Sequence, residues 1–323
     1  MRTLGWALVA LVLLVPGHSA VHPPGGADLR AAAATVAAGG QPAGGARCER
    51  RGPRVQGPRI IGYASLNLRP GMTRRQMARD MRRLTSMRSV DVIGWQETRA
   101  DKFGKLRMDL RRRGWRHAFF RRNMGTQGVA VSWRRRKFRL VDASQRRMHR
   151  HAGRDETRSP FPKRYVTGVR LRVRRGALAG LPVTLFNTHA NTWIQKRERF
   201  RDTLNARLAK RHFARLARMF RHADAPLVVG TGDLNFGWGA DRRGRPQGGI
   251  SRTIKRRAVS SYDVLGTRRI CSTRDARLID YAFLSRRSVR RGVRFARHAT
   301  MGGFHSDHRA ILAWVRVPRR LAR

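Results

Sequence analysis

The 323-residue chain predicts an α/β (α+β) fold in which mixed β-sheets pack on one another and helices lie outside. Strand-like segments outnumber helical ones, and several follow one another with no helix between, which argues against a plain doubly wound sheet. The hydrophobic fraction of 41% at this length is enough for a sizeable core.

Taken in order, the chain opens with a leader. Arg2 supplies a short positive start, Ala7 to Val15 an apolar run, and His18-Ser19-Ala20 a small-residue cleavage site, so residues 1–20 read as a secretory signal peptide. The apolar run is too short for a comfortable membrane span. Residues 21–57 are rich in Ala, Gly and Pro and poor in large apolar residues. Such a segment buries too little to offset its ordering entropy and is expected to be disordered. Cys48 and Cys271 are the two cysteines, and in an exported protein they are expected to form one disulfide.

Residues 58–318 read as the folded domain. Arg59–Ala64 is strand-like and runs into Leu66-Asn67-Leu68. A helix is expected from Thr73 to about Met87, opened by the capping box of Thr73 and Gln76 and striped by Met77, Met81 and Leu84. A second strand, Asp91–Trp95, leads into Gln96-Glu97-Thr98, and a helix over Asp101–Arg113 buries Phe103, Leu106 and Leu110. Gly128–Trp133, Tyr165–Val173 and Val183–Asn187 follow as strands, with loop composition over Arg146–Pro162. The longest helical period runs from Lys196 to Phe220, with Phe200, Leu204, Leu208, Phe213 and Leu216 on one face. Leu227-Val228-Val229 is a run of the kind buried on both faces of a sheet. Gly/Arg-rich residues 236–251 read as an exposed loop, and Leu278–Leu284 and Ile311–Val317 are the last strands.

The polar residues are more informative. Gly230 and Gly232 bracket the end of the Leu227 strand, and Asp233 and Asn235, two apart, would project together. Asn67, Glu97 and His189 follow other strands, Asp280 lies inside an apolar one, and Ser306-Asp307-His308 precedes the last. Each alone has a bland reading as a turn residue, a cap or a satisfied core group. A buried carboxylate such as Asp280 needs a partner, and His308 or an arginine would serve. Together they form one chemistry. Glu97 and Asp307, with Asn67 as a neutral oxygen donor, suit a hard divalent cation, Mg²⁺ or Mn²⁺, with Ca²⁺ as an alternative. His308 could take a proton from water or deliver one to a leaving oxygen, held in its tautomer by Asp280. Asn235 and His189 would donate to phosphate oxygens where charge develops.

The set Asn67, Trp95-Gln-Glu-Thr98, Asn187-Thr-His189, Gly232-Asp-Leu-Asn235, Ile279-Asp-Tyr281 and Ser306-Asp-His308 resembles the endonuclease/exonuclease/phosphatase superfamily, over roughly residues 58–318. The resemblance implies a four-layer α/β/β/α sandwich with the site at one edge of the paired sheets. It also implies Glu97 as principal Mg²⁺ ligand beside Asn67 and Asp307. Asp233 and Asn235 would position water and phosphate, His189 would contact the phosphate, and Asp280–His308 would form an acid/base pair. Either Asp233 or His308 could be the base. Arg99 stands where the AP endonucleases of that group carry Lys, so the subfamily stays open.

Lys+Arg total 72 against 19 Asp+Glu, a formal +53. That field favours polyanionic partners. With the site chemistry it points first to a secreted, metal-dependent nuclease acting on DNA or RNA, with Trp193 and Trp238 as candidate stacking residues. A phospholipid or small-phosphoester hydrolase is the alternative, with anionic phospholipid as its partner. It requires an exposed apolar rim, and no strong apolar loop is present. A non-catalytic polycation would have no use for the motif set. A monomer with no transmembrane span in the mature chain is expected.

Overall fold

The computed structural model describes Pro53 and residues 55–98, 100–120, 128–149, 153–154, 160–161, 163–268 and 270–322. The leader at 1–20, nearly all of the 21–57 lead-in, Cys48 and Arg99 lie outside them. Cys271 is disulfide-bonded. No helix among the described residues is long and apolar enough to cross a membrane.

The first half of the chain carries β1 (Ile60–Asn67), α1 (Arg74–Ser86), β2 (Val92–Gln96), α2 (Ala100–Arg112), β3 (Trp115–Ala118), β4 (Ala130–Arg134) and β5 (Phe138–Arg147). Two short strands, β6 (Gly153–Arg154) and β7 (Pro160–Phe161), pair with each other before β8 (Tyr165–Val173) and β9 (Pro182–His189). A second ribbon, β10 (Gln195–Lys196) with β11 (Arg199–Phe200), precedes α3 (Leu204–His222) and β12 (Leu227–Asp233). The remainder is α4 (Trp238–Gly244), β13 (Ala258–Ser260), α5 (Ser261–Leu265), β14 (Asp280–Ser285), α6 (Arg286–Arg290), β15 (Arg294–Met301) and β16 (Ala310–Arg316).

Two six-stranded mixed sheets result, in the orders β15-β16-β1-β2-β4-β3 and β13-β14-β12-β9-β8-β5. Each is built around one parallel pair joined through a helix, β1–α1–β2 in the first and β9–α3–β12 in the second, with antiparallel neighbours on either side. This places the carboxyl ends of β1 and β2 together, and likewise those of β9 and β12.

The sheets pack face to face. Ile61, Tyr63, Val92 and Val131 of the first share one buried cluster with Val183, Leu185, Val229 and Tyr281 of the second. Tyr63 donates its hydroxyl to the Phe283 carbonyl across the interface at 2.9 Å. Asn187 ties the sheets together, donating to the carbonyls of Trp95 and Ala130 while its Oδ1 accepts from Gln96 at 2.6 Å. A side chain at Gly94 would collide with Asn187 and Thr231, so the close approach requires glycine there. Outside the first sheet, Met77, Met81 and Leu84 of α1 and Phe103, Leu106 and Leu110 of α2 join the cluster of Ile93, Trp95 and Trp314. Phe213, Leu216 and Phe220 of α3 pack against the second sheet.

The capping box at Thr73 is formed, with Gln76 N donating to Thr73 Oγ1 at 3.2 Å and Thr73 N to Gln76 Oε1 at 2.8 Å. The third helix starts eight residues later than its periodicity suggests, because Gln195–Phe200 forms the β10–β11 ribbon. The hydroxyl of Thr203 then caps the helix by accepting from Ala206 N. Residues 236–251 are not a simple exposed loop: they contain α4, and Phe236, Asp241 and Ile250 are fully buried.

Candidate active site

The carboxyl ends of all four parallel strands converge on one polar cluster. Asn67 ends β1, Glu97 follows β2, His189 ends β9 and Asp233 ends β12. In the second sheet Asp233 pairs with His189 on one side and with Asp280, the first residue of β14, on the other. All five are buried. Asn67 Nδ2 bridges the sheets, donating to Glu97 Oε1 at 3.1 Å and to Asp233 Oδ2 at 2.9 Å.

Two turns aim the remaining groups. Glu97 has φ +56° and Asn235 φ +51°. Asparagine tolerates that left-handed region, whereas glutamate there is strained by about 1–3 kcal/mol. Strain held at the end of a core strand marks a site whose orientation the surrounding contacts enforce. Thr98 N donates to the Gly128 carbonyl and Leu68 N to that of Gln96, fixing the Glu97 turn. Asp233 Oδ1 accepts from Asn235 N at 2.9 Å, and Asn235 Nδ2 donates to the Ala190 carbonyl.

The Ser306-Asp307-His308 segment reaches the cluster from between β15 and β16. Ser306 donates its hydroxyl to the Asn67 carbonyl at 2.6 Å and accepts from His308 N at 3.1 Å. His308 Nδ1 lies 2.8 Å from Asp280 Oδ2, and its Nε2 lies 3.8 Å from Asp233 Oδ2. Asp233, Asp280 and His308 thus offer ligand atoms within 4.8 Å of one another, a spacing that could itself hold a metal ion. Asp307 is different: its carboxylate is one-third exposed and paired with Arg274 at 3.1 Å, at the rim of the cluster.

Arg164 has no counterpart in the sequence-derived set. It is 1% exposed, immediately before β8, and its Nη1 lies 3.2 Å from His189 Nδ1. Sequence offers no signal for it, since it is one arginine among dozens. On the other side of the same ring, Asn235 Nδ2 lies 3.1 Å from Nε2. A neutral imidazole has one acceptor nitrogen and cannot accept from both. His189 Nε2 also lies 3.4 Å from Asp233 Oδ2 and 3.9 Å from Glu97 Oε1, the two carboxyls set against Arg164, so Arg164, Asn235 and His189 gather donors around that pair, an arrangement that could also take a phosphate oxygen.

Charge states follow from burial. Burial, and Asp233 nearby, push the Glu97 carboxyl up to about 7 against a lowering hydrogen bond from Asn67. Burial and the charge of Asp280 push Asp233 up to about 6. Burial holds His189 well below its ordinary value, reinforced by Arg164. It also lowers Arg164 to about 9, against the charges of Glu97 and Asp233, so the guanidinium remains a cation at neutral pH. For His308, burial is outweighed by the charge and hydrogen bond of Asp280 and by Asp233, raising it to about 9. Arg274 Nη1, 3.2 Å from its Nε2, can only donate and so fits only the neutral ring. The buried Asp280 contact outweighs this part-exposed one, and the imidazolium is the resting form.

A divalent cation fits the donor set. Asn67 Oδ1 and Glu97 Oε2 are buried and make no hydrogen bond to any described residue. Two such oxygens on neighbouring strands are the hard ligands that Mg²⁺ or Mn²⁺ prefers.

A family model described as Endonuclease/Exonuclease/phosphatase family matches residues 64–308. No curated protein sequence matches the chain with significance. Among solved structures the chain is similar to a humanized D. rerio TDP2, with TM-score 0.61, 14% identity, and 80% of this chain and 99% of that one covered. It is also similar to D. rerio TDP2 complexed with single strand DNA product, with TM-score 0.60, 12% identity and the same coverage. A third is a Bacteroides thetaiotaomicron mannosyl-6-phosphatase, with TM-score 0.55, 15% identity, and 79% and 99% covered. At these identities the likeness establishes the fold, an α/β sandwich of two mixed sheets.

Proposed function

The chain belongs to the Endonuclease/Exonuclease/phosphatase family, whose members are hydrolases of phosphoester bonds, and from that premise we propose that it is a secreted, metal-dependent nuclease cleaving DNA or RNA phosphodiesters. The observation that carries this reading is the donor pocket of Arg164, His189 and Asn235, set beside the buried Asp233, Asp280 and His308. One side holds an anion and the other handles a proton.

Glu97 and Asn67 would hold the cation through the two oxygens that make no hydrogen bond to any described residue, with Asp307 at the rim. A divalent ion, Mg²⁺ foremost, supplies Lewis-acid stabilisation of the phosphoryl charge worth several kcal/mol. Arg164, Asn235 and His189 bind the non-bridging oxygens. Asp233, ionised above about pH 6, takes the proton from the attacking water. In-line displacement forms the bond from the water oxygen to phosphorus as the ester P–O bond opposite it breaks, and the leaving oxyanion takes its proton from solvent. His308 Nε2, 3.8 Å from Asp233 Oδ2, stands on the water's side, so its imidazolium donates to a phosphoryl oxygen, and Asp280 keeps the ring protonated and oriented.

Nucleic acid is favoured over a lipid or small ester by the rim. Trp193, four residues beyond His189, is 52% exposed at φ +56°, with Arg201 stacked 5.8 Å from the ring centroid. An exposed aromatic that follows His189 so closely in the chain suits a stacked base. Trp238 is not such a platform, being buried and bonded through Nε1 to Asp263 at 2.7 Å.

The deciding experiment incubates the mature protein with supercoiled plasmid in Mg²⁺ or EDTA, beside His308→Ala. Nicking that needs both metal and His308 is the expected result. Plasmid left intact by the metal-loaded wild type would sink the nuclease reading and favour a smaller phosphoester.

A further inference from the structure

Beyond the site, the edge of the second sheet carries a cleft of about 1180 Å³ between α4 and α5. Arg242, Arg245, Arg252, Arg256, Arg268 and Arg286 line it. All six are exposed. Lys255, at its floor, is already satisfied by Asp241 at 3.3 Å and Asp263 at 3.0 Å. Asp263 is the one acid among the described lining residues, and it also accepts from Trp238 Nε1 and Ser260 Oγ, so the six arginines far outweigh it.

Three of the guanidiniums are held in place. Arg252 Nε donates to the Arg245 carbonyl at 2.6 Å and Arg286 Nε to the Lys255 carbonyl at 2.7 Å. Arg242 stacks 5.3 Å from the centroid of Trp238. Fixing Nε on a carbonyl leaves the outer nitrogens of the fork aimed outward, and a pre-ordered guanidinium loses less entropy on binding phosphate. A second hollow, which shares Arg256 and Arg286, extends the same band to Arg257 and Arg290.

The chain is basic throughout, so charge density alone is weak grounds. The smaller hollow at Arg82, Arg113 and Arg134 (430 Å³) shows the contrast. There Arg134 turns inward onto the carbonyls of Val90 and Thr85 and over the Trp115 ring.

The position of the larger cleft relates it to the site. It begins at Trp238, whose N–H donates to the Leu278 carbonyl and which lies three residues after Asn235. It passes Tyr262, whose hydroxyl donates to the Asp280 carbonyl at 2.6 Å. It ends at Arg286, just past the far end of β14, a strand that starts with Asp280. At about 3.3 Å per residue that path is roughly 20 Å, the span of several nucleotides.

We propose that this cleft is a second anion site that binds the backbone of nucleic acid flanking the point of cleavage. The proposal rests on the nuclease reading for its partner. A bilayer is flat and cannot follow a concave path, whereas a backbone can.

The test is binding of a fluorescent 20-base-pair duplex in EDTA, where no cleavage occurs, as a function of salt. Replacing Arg252, Arg268 and Arg286 together by Gln should make the slope of log K against log salt about 2 to 3 less steep, since each lost phosphate contact removes about 0.9. Hydrolysis of bis(p-nitrophenyl) phosphate should be unchanged. The matched control replaces Arg82, Arg88 and Arg113 by Gln, with the same charge loss. Equal slope changes in the two triples would overturn the inference, as would loss of binding to phosphatidylserine vesicles with the duplex slope intact. If the triple melts early, Arg256→Gln/Arg268→Gln, which removes no side-chain bond described above, should still reduce the slope by about 1 to 2. An unchanged slope there also overturns it. A wild type that hydrolyses no diester would sink the nuclease reading while leaving this binding result interpretable.

Discussion

Asp80, on the first helix, holds the loop that carries His308 through three contacts, two to His305 and one to Ser306. Its Oδ1 accepts from His305 N at 2.9 Å and lies 2.8 Å from His305 Nδ1, while Oδ2 accepts from Ser306 N at 3.0 Å. Asp80 is 1% exposed although it sits on a surface helix. These contacts reach none of Arg164, His189, Asn235, Glu97 and Asn67, so we expect Asp80 to position Asp307 and His308 through the backbone. Asp80→Asn keeps the shape but can accept at only one oxygen. We expect kcat to fall about 10- to 100-fold with KM nearly constant, and the pH profile of kcat to shift because the His308–Asp280 geometry loosens. A stability loss with unaltered kcat in the folded fraction would show Asp80 to be merely structural.

Arg164 provides the second prediction. It is the buried cation against which Glu97 and Asp233 are set, and its fork reaches His189. Arg164→Lys retains charge but not the planar fork, and should lower kcat/KM by about 100-fold or more if the guanidinium meets the phosphoryl oxygens. Arg164→Met should also destabilise the fold, because two buried carboxylates lose their cation. Steady-state kinetics with a dinucleotide substrate and a thermal melt separate the two effects.

How much of this was legible in the chain depends on burial. β1, β2, β8, β9, β12, β14 and β16 announce themselves because apolar residues recur along them, and β8 matches its expected bounds, Tyr165–Val173. β5 and β15 do not. All nine residues of β5 after Phe138 are at least partly exposed and arginines interrupt it, because it is a sheet edge where charge deters further pairing. The strand-end polar residues were readable because carboxylates and amides are costly in a core. Their mutual geometry was not, since Asp233 contacts Asn67 across 166 residues of chain. Arg164 and Asp80 were invisible for opposite reasons: one is lost among many arginines, the other looks like an ordinary helix-surface acid.

Trp193 gives the third prediction. Its side chain is half exposed, so Trp193→Ala should leave the melting temperature within about 1–2 °C, as for surface changes near ±0.5 kcal/mol. If a base stacks there, KM for an oligonucleotide should rise by about 5- to 150-fold, the equivalent of roughly 1–3 kcal/mol. Turnover of bis(p-nitrophenyl) phosphate, which has no base to stack, should be unaltered. Equal losses on both substrates would place Trp193 in the positioning of His189.

The last prediction concerns metal and pH together. Glu97 is raised to about 7 and Asp233 to about 6, chiefly by burial. Carboxyls whose folded-state values exceed their unfolded ones, near 4, bind protons more readily in the folded chain. Their contribution to stability is fully present below about pH 4 and is lost as pH rises through 6 and 7. These two groups therefore weaken the metal-free protein progressively between pH 5 and 8. A divalent cation on Glu97 and Asn67 requires the ionised carboxylate, so its binding opposes that loss and strengthens with pH. The melting temperature should respond little to millimolar Mg²⁺ at pH 5 and rise clearly with it at pH 8. Glu97→Gln, which removes the charge and the titration, should abolish the Mg²⁺ response while raising the metal-free melting temperature at pH 8 toward its pH 5 value. A Mg²⁺ shift that persists in Glu97→Gln would move the ion to Asp233, Asp280 and His308, the other group of buried ligands.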